Sequence, residues 1–202
     1  MARCLMLDVD GVVVNGRPGD GASWAADIER DLGVAPARLQ EAFFAPFWGD
    51  IVLGRAELRE VLEACLPELS PSLSARQFID YWFERDSGLD AAVLADCDAL
   101  RARGHSIFLA TNQEHLRARY LMERLALRDH VDGMVYSAEV GARKPEPAFF
   151  QAAAERCGTA PRDILLVDDT AANVEAARAA GWRAAQWTAG DRLASLVERF
   201  AP

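Results

Sequence analysis

The stretch Leu5-Met6-Leu7-Asp8-Val9-Asp10-Gly11-Val12-Val13-Val14 decides how the rest of the chain is read. An apolar run ends in two aspartates at i and i+2, and a glycine follows at once. On an extended backbone that spacing turns both carboxylates to one side and Val9 to the other. Gly11 lets the chain leave the strand in a tight turn. The reading is a buried strand, residues 3 to 9, that delivers two acids to its carboxyl end, where open α/β sheets place their ligands. Alone, an Asp-x-Asp pair also fits a polar loop or an adventitious cation site, so the other segments must decide.

Outward from this strand the texture changes. Asn15 to Gly21 is rich in turn residues and reads as a hinge. Four helical stretches follow. Ser23 is placed to cap a helix carrying Trp24, Ile28 and Leu32, ended by Gly33. Pro36 suits the first turn of a second, which carries Leu39 and Phe43 before Pro46. Leu58, Val61, Leu62 and Cys65 line a third, stopped at Pro67, and Ser74 caps a fourth with Phe78 and Trp82 on one face. Residues 15–88 are thus expected to form a small helical module inserted after the first strand.

From Leu89 the pattern is α/β. Short apolar runs, Ile107–Ala110, Met134–Tyr136, Ile164–Val167 and Arg183–Trp187, alternate with helical patterns over 93–100, 114–127, 147–157 and the stretch before Gly181. Such alternation means a parallel sheet covered on both faces. The expected fold is a Rossmann-like α/β core, residues 1–14 and 89–202, with residues 15–88 as the insert.

Three of these strands end in polar pairs: Asp8 and Asp10, Thr111 and Asn112, Asp168 and Asp169. Lys144 precedes a helix amino terminus. Parallel strands point the same way, so these groups converge on one edge. Two carboxylates about 4 Å apart repel by on the order of 4 kcal/mol at an effective dielectric of about 20. Four together call for a cation. An all-oxygen donor set without a His or Cys cluster favours Mg2+ over Zn2+; His105, His115 and His130 show no ligand spacing. Each segment alone has a plainer reading, Thr111-Asn112 or Asp168-Asp169 as helix caps and Lys144 as a solvated lysine. All of them in this order at strand ends do not.

The formal charge of -9 argues against a nucleic-acid binder, which needs a basic footprint. It leaves small anions open, because one metal and one lysine reverse the sign locally. Four cysteines without a C-x-x-C pair read as reduced thiols, and the apolar start, broken by Asp8 and Asp10, is too short for a signal peptide. With no apolar run of about 20 residues for a membrane span, a soluble, cytoplasmic protein, monomer or homodimer, is expected.

Asp8-Val9-Asp10-Gly11-Val12, Ala110-Thr111-Asn112, Arg143-Lys144-Pro145 and Leu166-Val167-Asp168-Asp169 together resemble the haloacid dehalogenase-like superfamily of phosphotransferases over essentially the whole chain. One departure is Val12, where that superfamily commonly has threonine. The resemblance makes residues 15–88 a helical cap. It implies that Asp8 is the nucleophile that forms an aspartyl-phosphate, and that Asp10 is the acid and then the base. Thr111 and Asn112 donate to phosphoryl oxygens, and Lys144 offsets charge on Asp8 and the phosphoryl group. Mg2+ sits among Asp8, the main-chain carbonyl of Asp10, and Asp168, with Asp169 direct or through water.

The expected activity is Mg2+-dependent hydrolysis of a small phosphomonoester, a sugar phosphate being one option, with Phe44, Phe47, Trp48 and Arg55 as candidate substrate contacts. A dehalogenase, a phosphomutase or a catalytically idle binding module of the same fold are the alternatives. Asp10 speaks against the dehalogenase, because carbon–halogen displacement needs no acid for its leaving group.

Overall fold

The computed structural model describes residues 4–200; Arg3 of the expected first strand and the ends of the expected core lie outside the described residues. In chain order, β1 (Cys4–Leu7) is followed by five helices, α1 (Ile28–Leu32), α2 (Pro36–Leu39), α3 (Ala45–Ile51), α4 (Leu58–Leu69) and α5 (Ala75–Arg85). The chain then alternates through α6 (Ala91–Ala102), β2 (Ser106–Thr111), α7 (His115–Arg119), β3 (Gly133–Tyr136), α8 (Ser137–Val140), α9 (Pro147–Cys157), β4 (Ile164–Asp168), α10 (Ala171–Ala179), β5 (Arg183–Gln186) and α11 (Leu193–Arg199).

The five strands form one parallel sheet in the order β3-β2-β1-β4-β5. Both faces of β1 are buried, and its side chains alternate between two cores. Leu5 and Leu7 pack with Val93, Leu100 and Leu196 on one side; Cys4 and Met6 pack with Phe150, Val174 and Ala177 on the other. This is why the strands read as continuous apolar runs rather than as alternating ones. The strand order reverses beside β1: β2 and β3 extend the sheet one way, β4 and β5 the other. Open sheets bind ligands outside the carboxyl ends of strands at such a switch point, and β1 and β4 both end in aspartates there.

Helices α1 to α5 gather around a separate cluster of Ile28, Phe43, Leu62, Phe78 and Trp82. The Trp24 and Trp82 rings stack 4.8 Å apart. The two chain passages joining this cluster to the sheet run side by side, with a bridge between Val14 and Leu89. Asn15 N–H donates to Gly88 O at 2.7 Å and Asp90 N–H to Val13 O at 2.9 Å.

Several helix limits differ from those expected. The first helix starts at Ile28, not after Ser23. The Ser23 hydroxyl instead accepts from Ala25 N–H at 3.3 Å in a local turn, a short-range alternative to helix that serine readily offers. Pro46 ends nothing. A π-helical turn over Gln40–Phe44, with Ala45 N–H on Gln40 O, joins α2 to α3, and this wider turn just before Pro46 lets the helix run on past it. Pro67 lies inside α4, which runs on to Leu69. The carbonyl it leaves unbonded, on Glu63, belongs to an exposed turn where water substitutes. The expected helix 114–127 is α7 followed by a π turn over Tyr120–Arg124, with Ala126 in the left-handed region at φ 55°. Helices α8 and α11 were not expected.

The Ser74 cap is present as a full capping box: its hydroxyl accepts from Gln77 N–H at 3.3 Å, and Gln77 Oε1 accepts from Ser74 N–H at 3.0 Å. Ser74→Ala is therefore expected to cost about 1 kcal/mol in urea unfolding. A loss near zero would show that α5 is held by its buried face alone.

Candidate active site

The register puts Asp8 and Asp168 side by side, because Leu7 pairs with Val167 and the two aspartates come next in their chains. Asp8 N–H still donates to Val167 O at 2.9 Å, so the backbone carries β pairing into the site. Both residues are buried, Asp168 completely. Lys144, from the loop after α8, lies between them with its Nζ 3.0 Å from Asp8 Oδ1 and 2.6 Å from Asp168 Oδ2. Asp168 is fixed further: its Oδ1 accepts from Thr170 N–H at 2.9 Å, and Asn173 Nδ2 reaches both oxygens at 3.0 and 3.1 Å.

The exposed Asp169 follows, and its carboxylate completes a trio with Asp8 and Asp168 whose oxygens all lie within 4.8 Å of one another. Gly11 makes room for it. A Cβ at Gly11 would stand 2.4 Å from Asp169 Oδ2, and the residue has φ +82°, so no side chain is accommodated there. A cavity of about 550 Å³ lined by Gly11, Asn15, Asp90, Asp169 and the loop from Trp187 to Arg192 opens beside the trio.

Charge in this cluster is unbalanced. Burial, opposed by the attraction of Lys144 and reinforced by the Asp168 carboxylate, raises the Asp8 carboxyl to about 7. Burial acts to lower the Lys144 pKa, but the attraction of Asp8 and then Asp168 outweighs it, so the ammonium is held charged above its ordinary value. One cation thus faces three acids. The all-oxygen trio, with Lys144 as its single buried cation among the described residues, fits a hard divalent ion of the Mg2+ type.

Asp10 stands apart from the trio. Gln113 Nε2 donates to its Oδ2 at 2.6 Å. Desolvation, with the Asp86 carboxylate adding to it and the Arg117 guanidinium and the Gln113 hydrogen bond opposing it, raises the Asp10 carboxyl to about 6. Thr111, at the end of β2, is 1% exposed and its hydroxyl has no hydrogen-bond partner. Leaving such a group unpaired costs about 1–3 kcal/mol, which an acceptor oxygen from a ligand would recover. Asn112 also supports the Lys144 loop. Its Nδ2 donates to Lys144 O at 2.9 Å and its Oδ1 accepts from Lys144 N–H at 2.8 Å, so the side chain holds the Lys144 loop and has one amide N–H left for a ligand.

Sequence reasoning missed four groups. Gln113 carries the contact to Asp10. Glu114 caps α7 by accepting from Leu116 and Arg117 N–H. Buried Arg117 donates to the main-chain oxygens of Phe83, at 3.2 Å, and of Asp86 at the end of α5. Asn173 braces Asp168 from one turn into α10. Only Asn173 had a signal, five residues beyond an acid and at the start of a helix. His115 turns to Tyr136, its Nδ1 3.3 Å from the hydroxyl, and joins no acid cluster. Val12, at the departure from the superfamily pattern, is fully buried in the core beside Val9.

A family model for haloacid dehalogenase-like hydrolases matches residues 2–181. The chain belongs to the haloacid dehalogenase-like hydrolase family. A phosphatase of Mycobacterium tuberculosis is 44% identical over 85 residues, 42% of this chain and 39% of that protein. A phosphoglycolate phosphatase of Xylella fastidiosa is 26% identical over 186 residues, covering 89% of this chain and 77% of its own. A haloacid dehalogenase-like enzyme from Bacteroides thetaiotaomicron, crystallised with magnesium and inorganic phosphate, superposes with a TM-score of 0.80 over 97% of this chain and 99% of its own at 19% identity. The L-2-haloacid dehalogenase of Xanthobacter autotrophicus does so at 0.65 over 100% and 85%, with 21% identity. At such identities these two likenesses carry the family fold alone.

The raised Asp8 pKa fixes a pH dependence. Without metal, folded Asp8 keeps its proton above the ordinary carboxylate range, so its contribution to stability is full at low pH and is lost as pH rises through about 7. In chelator the melting temperature should fall between pH 5.5 and 8, and Mg2+ should raise it more at pH 8 than at pH 5.5. Both effects should shrink in Asp8→Asn. A Mg2+ increment equal at the two pH values would contradict the charge imbalance.

Proposed function

We propose that this chain is a Mg2+-dependent phosphatase that hydrolyses a small phosphomonoester through an aspartyl-phosphate on Asp8. The observation that carries it is the separation of the two acids of the first motif. Asp8 sits in the charged cluster beside Lys144, while Asp10 sits outside it, held by Gln113 at 2.6 Å. A nucleophile and a distinct proton donor two residues apart suit an oxygen leaving group, which needs a proton, better than a halide, which does not. The relatives named as phosphatases support the same reading.

Asp8 attacks phosphorus, the bond from phosphorus to the leaving oxygen breaks, and Asp10 gives its proton to that oxygen. Asp10 then takes a proton from the water that attacks the aspartyl-phosphate, and inorganic phosphate leaves. Lys144 offsets charge on Asp8 and the phosphoryl group, and the free Thr111 hydroxyl donates to a phosphoryl oxygen. Asp8, Asp168 and the main-chain carbonyl of Asp10, with Asp169 directly or through water, would hold Mg2+, which when bound would supply positive charge against the carboxylates and the phosphoryl oxygens.

Residues 15–88 serve as a cap over the core of residues 1–14 and 89–202, which favours small substrates and excludes water. On that cap Arg55, exposed and only 3.7 Å from Asp50, offers a cation for an anionic substrate group. The phosphoglycolate phosphatases among the relatives make a short phosphorylated acid a first substrate to try, beside sugar phosphates. Among the described residues no helix is long and apolar enough to cross a membrane, and the four free cysteines suit a reducing, cytoplasmic setting.

Hydrolysis of para-nitrophenyl phosphate should require Mg2+, stop in chelator, and fall about a thousandfold or more in Asp8→Asn. Turnover that survives in this variant would remove Asp8 as nucleophile. Asp10→Asn should lower hydrolysis of alkyl phosphates by about 10²–10⁴-fold and of the activated nitrophenyl ester far less; equal losses would remove the acid role.

A further inference from the structure

Gln113 is 5% exposed and lies just past the end of β2, where no side chain is needed for packing the sheet. Its amide nitrogen is committed to Asp10 Oδ2, which leaves Asp10 Oδ1 to carry the transferable proton. The amide is itself held in place through its own main chain. Gln113 O accepts from Ala138 N–H at 3.1 Å and from the Ser137 hydroxyl at 3.2 Å.

Ser137 is fully buried, and the same hydroxyl lies 2.6 Å from Val52 O, in the loop between α3 and α4. That loop is seated closely on the core. A Cβ at Gly54 would stand 2.4 Å from Ala138 O and 3.1 Å from His115 Nε2, and Gly54 has φ +69°. The start of α8 therefore links the two sides, since Ala138 N–H holds Gln113 O beside Asp10 while the neighbouring Ser137 hydroxyl reaches Val52 O of the helical module. A hydroxyl has one proton, so Ser137 donates to either Val52 O or Gln113 O at any moment. The short contact is to Val52, which makes the position of the module's loop the stronger partner.

We propose that Gln113 is a positioning residue for the acid Asp10, and that Ser137 ties this position to the seating of the Val52–Gly54 loop, so that the acid is aligned when the helical module is docked. The inference rests on the phosphatase reading above. An aspartate side chain has two rotatable bonds, and its proton transfer is efficient only within hydrogen-bond reach of the leaving oxygen. Fixing one oxygen with an amide removes that freedom. Docking the loop then acts on catalysis through alignment of the proton donor, not through contact with the nucleophile.

The test uses the full chain with Mg2+ and three aryl phosphates of decreasing leaving-group acidity: para-nitrophenyl, phenyl and para-methoxyphenyl phosphate. Gln113→Met keeps the bulk of the side chain and removes the donor. It should lower kcat on the methoxyphenyl ester by about tenfold or more and on the nitrophenyl ester by less than about threefold, with KM changed less than about twofold. Ser137→Ala should show the same bias towards poor leaving groups with a smaller loss. Equal losses across the series, or a loss confined to KM, would overturn the proposal while leaving the phosphatase intact. No Mg2+-dependent release from any ester by the wild type would overturn the phosphatase reading itself. If Gln113→Met melts below the assay temperature, the Ser137→Ala series decides alone, and a flat profile there counts against the coupling.

Discussion

A buried ammonium between two buried carboxylates sets the terms for the rest of this molecule. At 3.0 Å and 2.6 Å from Asp8 and Asp168, Lys144 gains on the order of 5 kcal/mol from each at an effective dielectric near 20. Desolvating each ion costs several kcal/mol in return. The cluster is thus close to neutral in free energy only while all three groups are present and fixed. That requirement explains the polar scaffold around it, in which Asn173 and Thr170 N–H hold Asp168 and both ends of the Asn112 amide hold the Lys144 backbone. Asp169 then adds an acid with no second buried cation to answer it. Three carboxylates against one ammonium leave two negative charges unanswered when all are ionised, a deficit that fits a divalent cation.

Most of the fold was legible because a parallel sheet buried on both faces leaves a strong one-dimensional trace. Leu5–Leu7, Ile107–Ala110 and Ile164–Val167 are apolar throughout, and each gives way to polar residues where the strand leaves the core. The acid pair, Thr111, Lys144 and Asp168-Asp169 were therefore visible as punctuation at strand ends. Helix limits in the α1–α5 cluster were less legible, since Pro46 and Pro67 were read as stops. A proline breaks a helix only where its missing N–H and its ring are not accommodated. A π turn before Pro46 and an exposed turn around Pro67 accommodate both.

What could not be read were contacts that depend on the chain returning to itself. Gln113 meets Asp10 across 103 positions, and Arg117 meets Phe83 and Asp86 across 34 and 31. Nothing local marks either residue: Arg117 sits in His115-Leu116-Arg117-Ala118-Arg119, where any of the polar residues could have faced water. Its burial is intelligible only from the partner side, because the last carbonyls of α5 are unpaired by the helix itself and attract a cation. Asn112 was legible as a polar residue at a strand end but not as a support for the Lys144 loop, since the same amide serves a phosphoryl group or a backbone equally well.

The α1–α5 cluster meets the rest of the chain through paired main chains, through side-chain hydrogen bonds, and through apolar packing of Leu116 and Tyr120 against it, and these differ in consequence. The paired passages at Val14–Asn15 and Gly88–Asp90 are main-chain contacts between adjacent segments. Arg117 on the end of α5, and Ser137 on Val52, are side-chain contacts reaching across from the core. A rotation about the paired passages would break these and leave a buried guanidinium without acceptors, a costly state. The docked arrangement is therefore held by polar groups on α7 and α8, the two short helices that follow the strand ends bearing Thr111 and Tyr136, together with the packing of Leu116 and Tyr120 against Phe83 and its neighbours. Seating of the module and organisation of the crevice draw on the same few residues, so a change at one is felt at the other.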